Sequence, residues 1–490
     1  MADTEARGRA AQSLLIRRAQ LPGRGLFDVR AADGRIVGLA RQLEPRAGDR
    51  VVEARGHLLL PGLHDHHLHL FATAAARASL HCGPPAVHDE RSLGEALARH
   101  CAQATGWVRG TGFHESVCAR LDRHWLDAVC ADRPIRIQHR SGMLWVLNSC
   151  ALAQLDIARG DPLPAGAERG VDGAPTGRFF DLDGWLAVRL PRAWPSLGAL
   201  SAELARHGIT AVTDAGARNG RAEWAALRAA CERGELVQRV LVMGSEELAD
   251  GARPWPGRIE VGPLKIYLRE TALPELDALV QRMRSAHAAA RAVAVHCVTR
   301  VELTFALAAL AEAGAAPGDR IEHAAIADRH ALQALAALGV TVVTQPHFIA
   351  ERGEQYLRDV DAVDVPLLYR GAGFLRSGVA LAAGSDAPYG ATDPWAAMRA
   401  AVARRTRDGV QMNARECLDP AEALALFAGD PRRPGSGLRE LAVGQPADLC
   451  LLDVPWDDLC ADPDSRHVQL TVCAGRVAHA REAPAAGHAS

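Results

Sequence analysis

The chain has 490 residues, a formal net charge of −2, 48% hydrophobic residues and 23% charged ones. That is the length of one large globular domain with a smaller one, and no global basic field draws it to nucleic acid or anionic lipid. No apolar run approaches the ~18–20 residues of a membrane span, and Met1–Ala10 lacks the apolar stretch of a signal peptide, so a cytoplasmic location is expected.

In chain order, short strands are predicted over Ser13–Arg17, Leu26–Arg30 and Arg35–Leu39, with a turn at Ala32-Asp33-Gly34. An apolar strand, Leu58–Leu63, runs into Pro61-Gly62-Leu63-His64-Asp65-His66-His67-Leu68-His69. Alternate residues of a strand share a side, so His67 and His69 converge, and two imidazoles on one side suit one metal ion. Residues 71–207 carry their own strands (Trp107–Gly110, Ile135–Gln138) and helices, and read as an insertion that covers the barrel mouth. Further strands then alternate with helices: Ile209–Asp214, Gln238–Met243, Leu264–Leu268, Ala292–His296, Arg320–His323, Val340–Gln345 and Val379–Ser385. With the first, that makes eight, the pattern of a parallel α/β sheet. Thr299 and Glu302 predict a capping box, Gly314 the end of the same helix, and Asp393-Pro394 a helix start after the last strand. Ala447–Leu452 and Leu470–Cys473 are strand-like again, so the two chain ends read as halves of one small β domain. The tail after Arg481 reads as disordered. The 11 cysteines form no CxxC pair and are expected to be reduced.

His296, His323 and Asp386 each fall at the carboxyl end of a predicted strand, where barrel enzymes build their sites. Lys265 stands out in another way. It is the only lysine among 55 arginines, and it lies in the apolar strand Gly262–Tyr267. A buried ammonium without compensation is costly, so this amine is expected to be neutral or modified. A Schiff base or carbamylation by carbon dioxide would both require lysine. Beside metal-ligand residues the carbamate is favoured, since its two oxygens can bridge two cations.

These motifs resemble the amidohydrolase superfamily, in particular its YtcJ-like, "amidohydrolase 3" branch, which includes N-substituted formamide deformylases. The matching segments, in family order, are PGLHDHHLH (61–69), GITAVTDAG (208–216), VGPLKIYL (261–268), AVHCVTR (294–300), RIEHA (320–324), VTQP (343–346), GSDAP (384–388) and VGQPADL (443–449). The resemblance implies a (β/α)8 TIM barrel over 58–436, a small β-sandwich from 12–57 and 437–480, and the insertion after barrel strand 1. It implies that His67, His69 and Asp386 hold one metal, His296 and His323 a second, and that a carboxylated Lys265 bridges them. One or two divalent ions, zinc first, are expected. The implied reaction is attack of metal-bound hydroxide on a carbonyl to cleave an amide-type, non-peptide C–N bond, with Asp386 as general acid and base. Relatives often carry Asp-Gly-His where this chain has Ser141-Gly142-Met143, and a histidine where it has Phe348. Glu115, His139, Arg140, Arg178, Gln345, His347 and Tyr389 are candidates for orienting substrate. A small-molecule substrate is expected, without nucleic-acid or membrane partners; a homo-oligomer is compatible with the sequence. Alternatives are a lactone or cyclic-amide hydrolase, a deaminase, or a non-catalytic metal- or ligand-binding protein. Deaminases on this barrel place a glutamate three residues beyond the fifth-strand histidine, where this chain has Thr299.

Overall fold

The computed structural model describes residues 13–481, apart from 85, 105, 159, 191–193, 249–254 and 256. The tail expected to be disordered lies outside the described residues, as does residue 12. The described chain divides into two compact units, one of residues 1–70 with 196–490 and one of Phe71–Pro195.

The larger unit holds an eight-stranded parallel sheet. Its strands are Leu63–Leu68, Ile209–Asp214, Arg239–Gly244, Ile259–Tyr267, Val293–Cys297, Arg320–His323, Thr341–Thr344 and Leu381–Ala383, ordered in space as in the chain. They are referred to below as barrel strands one to eight. Nearly continuous apolar runs such as Val293–Val295 fit strands covered on both faces. Closure brings strand eight beside strand one: Asp386 N donates to the His67 carbonyl at 2.6 Å, and His69 N to the Ala387 carbonyl at 2.9 Å. The approach requires Gly384. A Cβ there would stand 2.3 Å from His67 N and 2.6 Å from its Cβ.

The expected first strand, Leu58–Leu63, proves to be two. Leu59–Pro61 pairs antiparallel with Leu449–Leu452 in a four-stranded sheet outside the barrel, and the barrel strand begins only at Leu63. The chain passes from one sheet to the other at Gly62, where a Cβ would lie 2.2 Å from Thr210 Oγ1. The second four-stranded sheet comes from residues 13–53. The two sheets share one apolar core that joins Leu14, Ile16, Val29 and Ile36 to Leu59, Leu449, Leu451, Leu470 and Val472. Backbone bonds seal the chain ends together: Ile36 N donates to Gln445 O at 2.9 Å, and Ala447 N to Gly34 O at 2.9 Å.

Helices between the barrel strands follow their sequence signals. Thr299 and Glu302 form the expected capping box of Arg300–Ala313, and Gly314 ends that helix at φ 81°. Asp393 caps Pro394–Ala403 through the Trp395 amide. Among the described residues no helix is long and apolar enough to cross a membrane.

The inserted unit is shorter than the expected 71–207. Gly198–Arg206 is a helix of the larger unit, fixed by Ser201 Oγ donating to Gln238 Oε1 at 2.7 Å and by Thr471 Oγ1 donating to Ala205 O at 2.7 Å. The inserted unit is built on a six-stranded sheet, which includes Val108–Phe113 and Ile135–His139 as parallel neighbours. Its core gathers Val108, Phe113, Leu126, Ile135 and Ile137.

Candidate metal centre

Barrel strand one carries His67, and His69 follows one residue past its end, so the two-residue alternation continued through Leu68 brings both imidazoles to one side. His67 is fully buried and His69 one-quarter exposed. Asp386, just past strand eight, brings Oδ1 to 3.4 Å from His67 Nε2 and 3.3 Å from His69 Nε2. The three ligand atoms lie within 4.8 Å of one another, a set that can hold a metal ion. Asp65 keeps the strands in place: its Oδ1 accepts from Ser385 N at 2.9 Å and from His67 N at 3.1 Å.

Two more imidazoles extend the group. The His323 ring centre is 4.9 Å from that of His67 and 4.5 Å from that of His296. Alternation along Arg320–His323 would put His323 on the opposite side from Glu322. A left-handed backbone at His323, φ 69°, and at Ala324, φ 45°, breaks that alternation and turns the ring into the cluster. Asp386 is left-handed too, at φ 51°. Such conformations in non-glycine residues cost free energy and concentrate at functional sites.

The ligand rings are oriented from behind. His67 Nδ1 hydrogen-bonds the Glu322 carboxylate, which also accepts from the Arg320 guanidinium. His323 Nδ1 donates to Gln345 Oε1 at 2.7 Å. With each Nδ1 engaged from behind, Nε2 is the atom left to take a cation, which for His67 would replace the proton it shares with Asp386. Sequence pattern did not single out Glu322. Its signal was available: Arg320 and Glu322 stand two apart on a buried strand, and a buried carboxylate beside a buried arginine needs a reason.

Charges in the cluster are strongly coupled. Burial pushes the Asp386 carboxyl up, but hydrogen bonds from His67 and His69 outweigh it and hold it well below the carboxylate range. Glu322 behaves likewise: burial is outweighed by Arg320, Lys265 and His67. Lys265 is buried, its Nζ has no hydrogen-bond partner, and burial lowers its pKa to about 8 against the pull of Glu322. Burial brings His323 down to about 4 and His296 well below the usual value, a direction that favours the neutral ring a metal ligand needs.

The remaining candidates divide between the two units. Gln345 engages His323 as described. His347 is buried and its Nε2 meets the Ser385 carbonyl at 3.0 Å, which fixes the loop after strand eight. Tyr389 is exposed, with its ring 6.0 Å from that of His69. Glu115, His139, Arg140 and Arg178 belong to the inserted unit. Arg140 is exposed. The Arg178 guanidinium already has internal partners, Glu168 at 3.0 Å and the Leu121 carbonyl at 2.7 Å, so a carboxylate ligand would have to compete with them. His64 and His66, not counted as ligands, are buried and stacked at 4.2 Å, outside the metal-ligand set.

A parallel barrel with imidazoles and a carboxylate gathered at its carboxyl strand ends defines an enzyme scaffold suited to a divalent cation. A family model described as the amidohydrolase family matches residues 50–479, and the chain belongs to that family. It is 26% identical over 501 residues to the N-substituted formamide deformylase of Arthrobacter pascens, covering 90% of this chain and 92% of that one. It is 24% identical over 488 residues to YtcJ of Bacillus subtilis (strain 168), covering 87% and 90%. Among solved structures, an uncharacterized metal-dependent hydrolase from Pyrococcus horikoshii OT3 superposes with a TM-score of 0.75 at 19% identity, over 94% of this chain and 100% of that one. Another from Pyrococcus furiosus gives 0.72 at 20%, over 90% and 99%. Membership of this family makes the protein a hydrolase.

Proposed function

We propose that the protein hydrolyses an amide-type, non-peptide carbon–nitrogen bond of a small molecule, with a divalent cation held by His67, His69 and Asp386. The observation that carries this reading is the convergence of those three ligand atoms within 4.8 Å, beside a buried lysine amine that lacks a partner. Two imidazole nitrogens and a carboxylate oxygen suit zinc, and also accept manganese, iron or cobalt. His296 and His323 would hold a second ion. When bound, such a cation lowers the pKa of water towards neutrality and polarises a carbonyl oxygen.

The chain's own residues supply the rest. Asp386, ionised at neutral pH, is the base that accepts a proton from water and the acid that returns it to the leaving nitrogen. Glu322 and Gln345 fix the tautomers of His67 and His323 through Nδ1. Lys265, with a pKa of about 8, presents a neutral amine in about a tenth of the molecules at pH 7, far more than an ordinary lysine does. Its lone pair would form a bond to the carbon of carbon dioxide and release one proton to solvent, leaving a carbamate with two ligand oxygens. The Thr299 hydroxyl, at the position a deaminase would give to glutamate, caps a helix by accepting from Glu302 N, which supports hydrolysis over deamination.

The test is a hydrolase screen of the metal-loaded protein on amides, formamides, carbamates and lactones, with metal counted per chain. Formamides enter because one relative bears the name of a deformylase. About two barrel-bound ions per chain in the wild type, and fewer in Lys265→Arg, are expected. Absence of hydrolysis by metal-loaded protein across the screen refutes the reading.

A further inference from the structure

The inserted unit carries a second convergence of ligand atoms, made of His114, Glu115 and His139, each of which brings one ligand atom within 4.8 Å of the others. We propose that this group is a metal site of its own, for a divalent first-row cation such as zinc or cobalt.

The site follows from the sheet. Val108–Phe113 and Ile135–His139 are adjacent parallel strands with Phe113 opposite His139, so their carboxyl ends lie side by side. Arg140 N donates to the Phe113 carbonyl at 2.8 Å and locks that junction. Each strand then ends in the same device, a histidine two residues before a serine: His114-Glu115-Ser116 and His139-Arg140-Ser141. His114 Nδ1 is 2.8 Å from Ser116 Oγ, and His139 Nδ1 is 2.7 Å from Ser141 Oγ. A serine behind each Nδ1 fixes both rings, and both Nε2 atoms turn towards one carboxylate oxygen.

The distances favour an ion over a plain hydrogen bond. Glu115 Oε2 is 3.0 Å from His139 Nε2, which a shared proton would explain. It is 3.9 Å from His114 Nε2, too long for a hydrogen bond. Ligand atoms around a tetrahedral zinc at ~2.0–2.1 Å stand about 3.3 Å apart, between those two values. The second histidine thus has a role if an ion sits among the three. Side-chain exposures of 29% for His114, 49% for Glu115 and 13% for His139 leave a path from solvent and room for a fourth ligand.

Loading requires each imidazole to carry its proton on Nδ1 and donate it to the serine oxygen. The backbone amides of Ser116 and Ser141, which approach the same Nδ1 atoms at 3.2 and 3.1 Å, then lose an acceptor, and this sets a modest cost. Arg140 also opposes a dication: after burial, its charge is the main influence lowering His114. The Glu115 carboxylate offsets it. The proposal moves Glu115 and His139 from substrate contact to ion binding and does not depend on the barrel reading.

The experiment uses the full chain, stripped with a chelator and dialysed against zinc alone or cobalt(II) alone. His67→Gln/His69→Gln should lose barrel metal and keep one ion whose cobalt visible spectrum reports nitrogen and oxygen ligands. Adding His114→Gln/His139→Gln should remove that ion. Ser116→Ala/Ser141→Ala, which leaves the three ligands in place, should weaken zinc binding at this site about 10–100-fold. The proposal is overturned if the His67→Gln/His69→Gln protein, folded by circular dichroism, binds no ion. It is equally overturned if the histidine pair 114/139 can be replaced without loss of stoichiometry.

Discussion

Replacing Glu322 by glutamine probes the support behind the metal centre. Glu322 is fully buried and presents two carboxylate oxygens to two donors, His67 Nδ1 and the Arg320 guanidinium, itself 1% exposed. An amide of the same shape has one acceptor oxygen and an NH2 group. One donor therefore faces another donor, and Arg320 loses its counter-charge. Breaking a buried pair from one side costs about 3–5 kcal/mol; the retained amide oxygen places E322Q near the lower figure. Loss of an oriented His67 should also weaken zinc binding about 10–100-fold, or ~1.4–2.8 kcal/mol. Zinc affinity by competition with a chromophoric chelator, and the urea midpoint of the metal-free protein, read the two effects separately. Wild-type zinc affinity in a folded E322Q protein would refute the claim that Glu322 orients His67.

Asp386→Asn should abolish turnover while two imidazoles keep most of the metal; an active variant removes Asp386 from acid–base chemistry. Gly384→Ala should cost more than the ~1–3 kcal/mol of ordinary overpacking, because the added Cβ meets backbone of His67 that cannot step aside; a wild-type melting curve would show that strand eight does not close on strand one this tightly. In the small β domain, Asp49 is held at about 2: burial raises it, but bonds from Ser13, the Arg46 amide and Arg30 outweigh that. A depressed carboxyl contributes stability that is complete above its unfolded value near 3.8 and is lost as pH falls towards 2. The difference in urea midpoint between wild type and Asp49→Asn should accordingly be constant above about pH 5 and shrink below pH 4; a difference that stays flat on acidification contradicts the pairing.

Much of this protein is local and therefore legible in the sequence. The two-residue period of a strand brings His67 and His69 together, the capping box at Thr299 and Glu302 starts its helix, and apolar runs separated by helical spacing give the parallel strands in order. A single lysine in an arginine-rich chain marks Lys265 with no structure needed. What only the tertiary structure decided is non-local. The Leu58–Leu63 run divides at Gly62 because two different sheets compete for its backbone, and only the partners Leu449–Leu452 and Ile209–Asp214 settle which part goes where. The helix Gly198–Arg206 joins the barrel unit through contacts with residues 238 and 471, far away in sequence. Glu322 gains its role from His67, 255 positions away in the chain. His323 enters the cluster because its backbone leaves the strand conformation, against the alternation that local pattern predicts. Sequence pattern carries propensity and period, which are set by neighbours along the chain; ring orientation, closure and charge pairing are set by atoms that meet only when the barrel shuts.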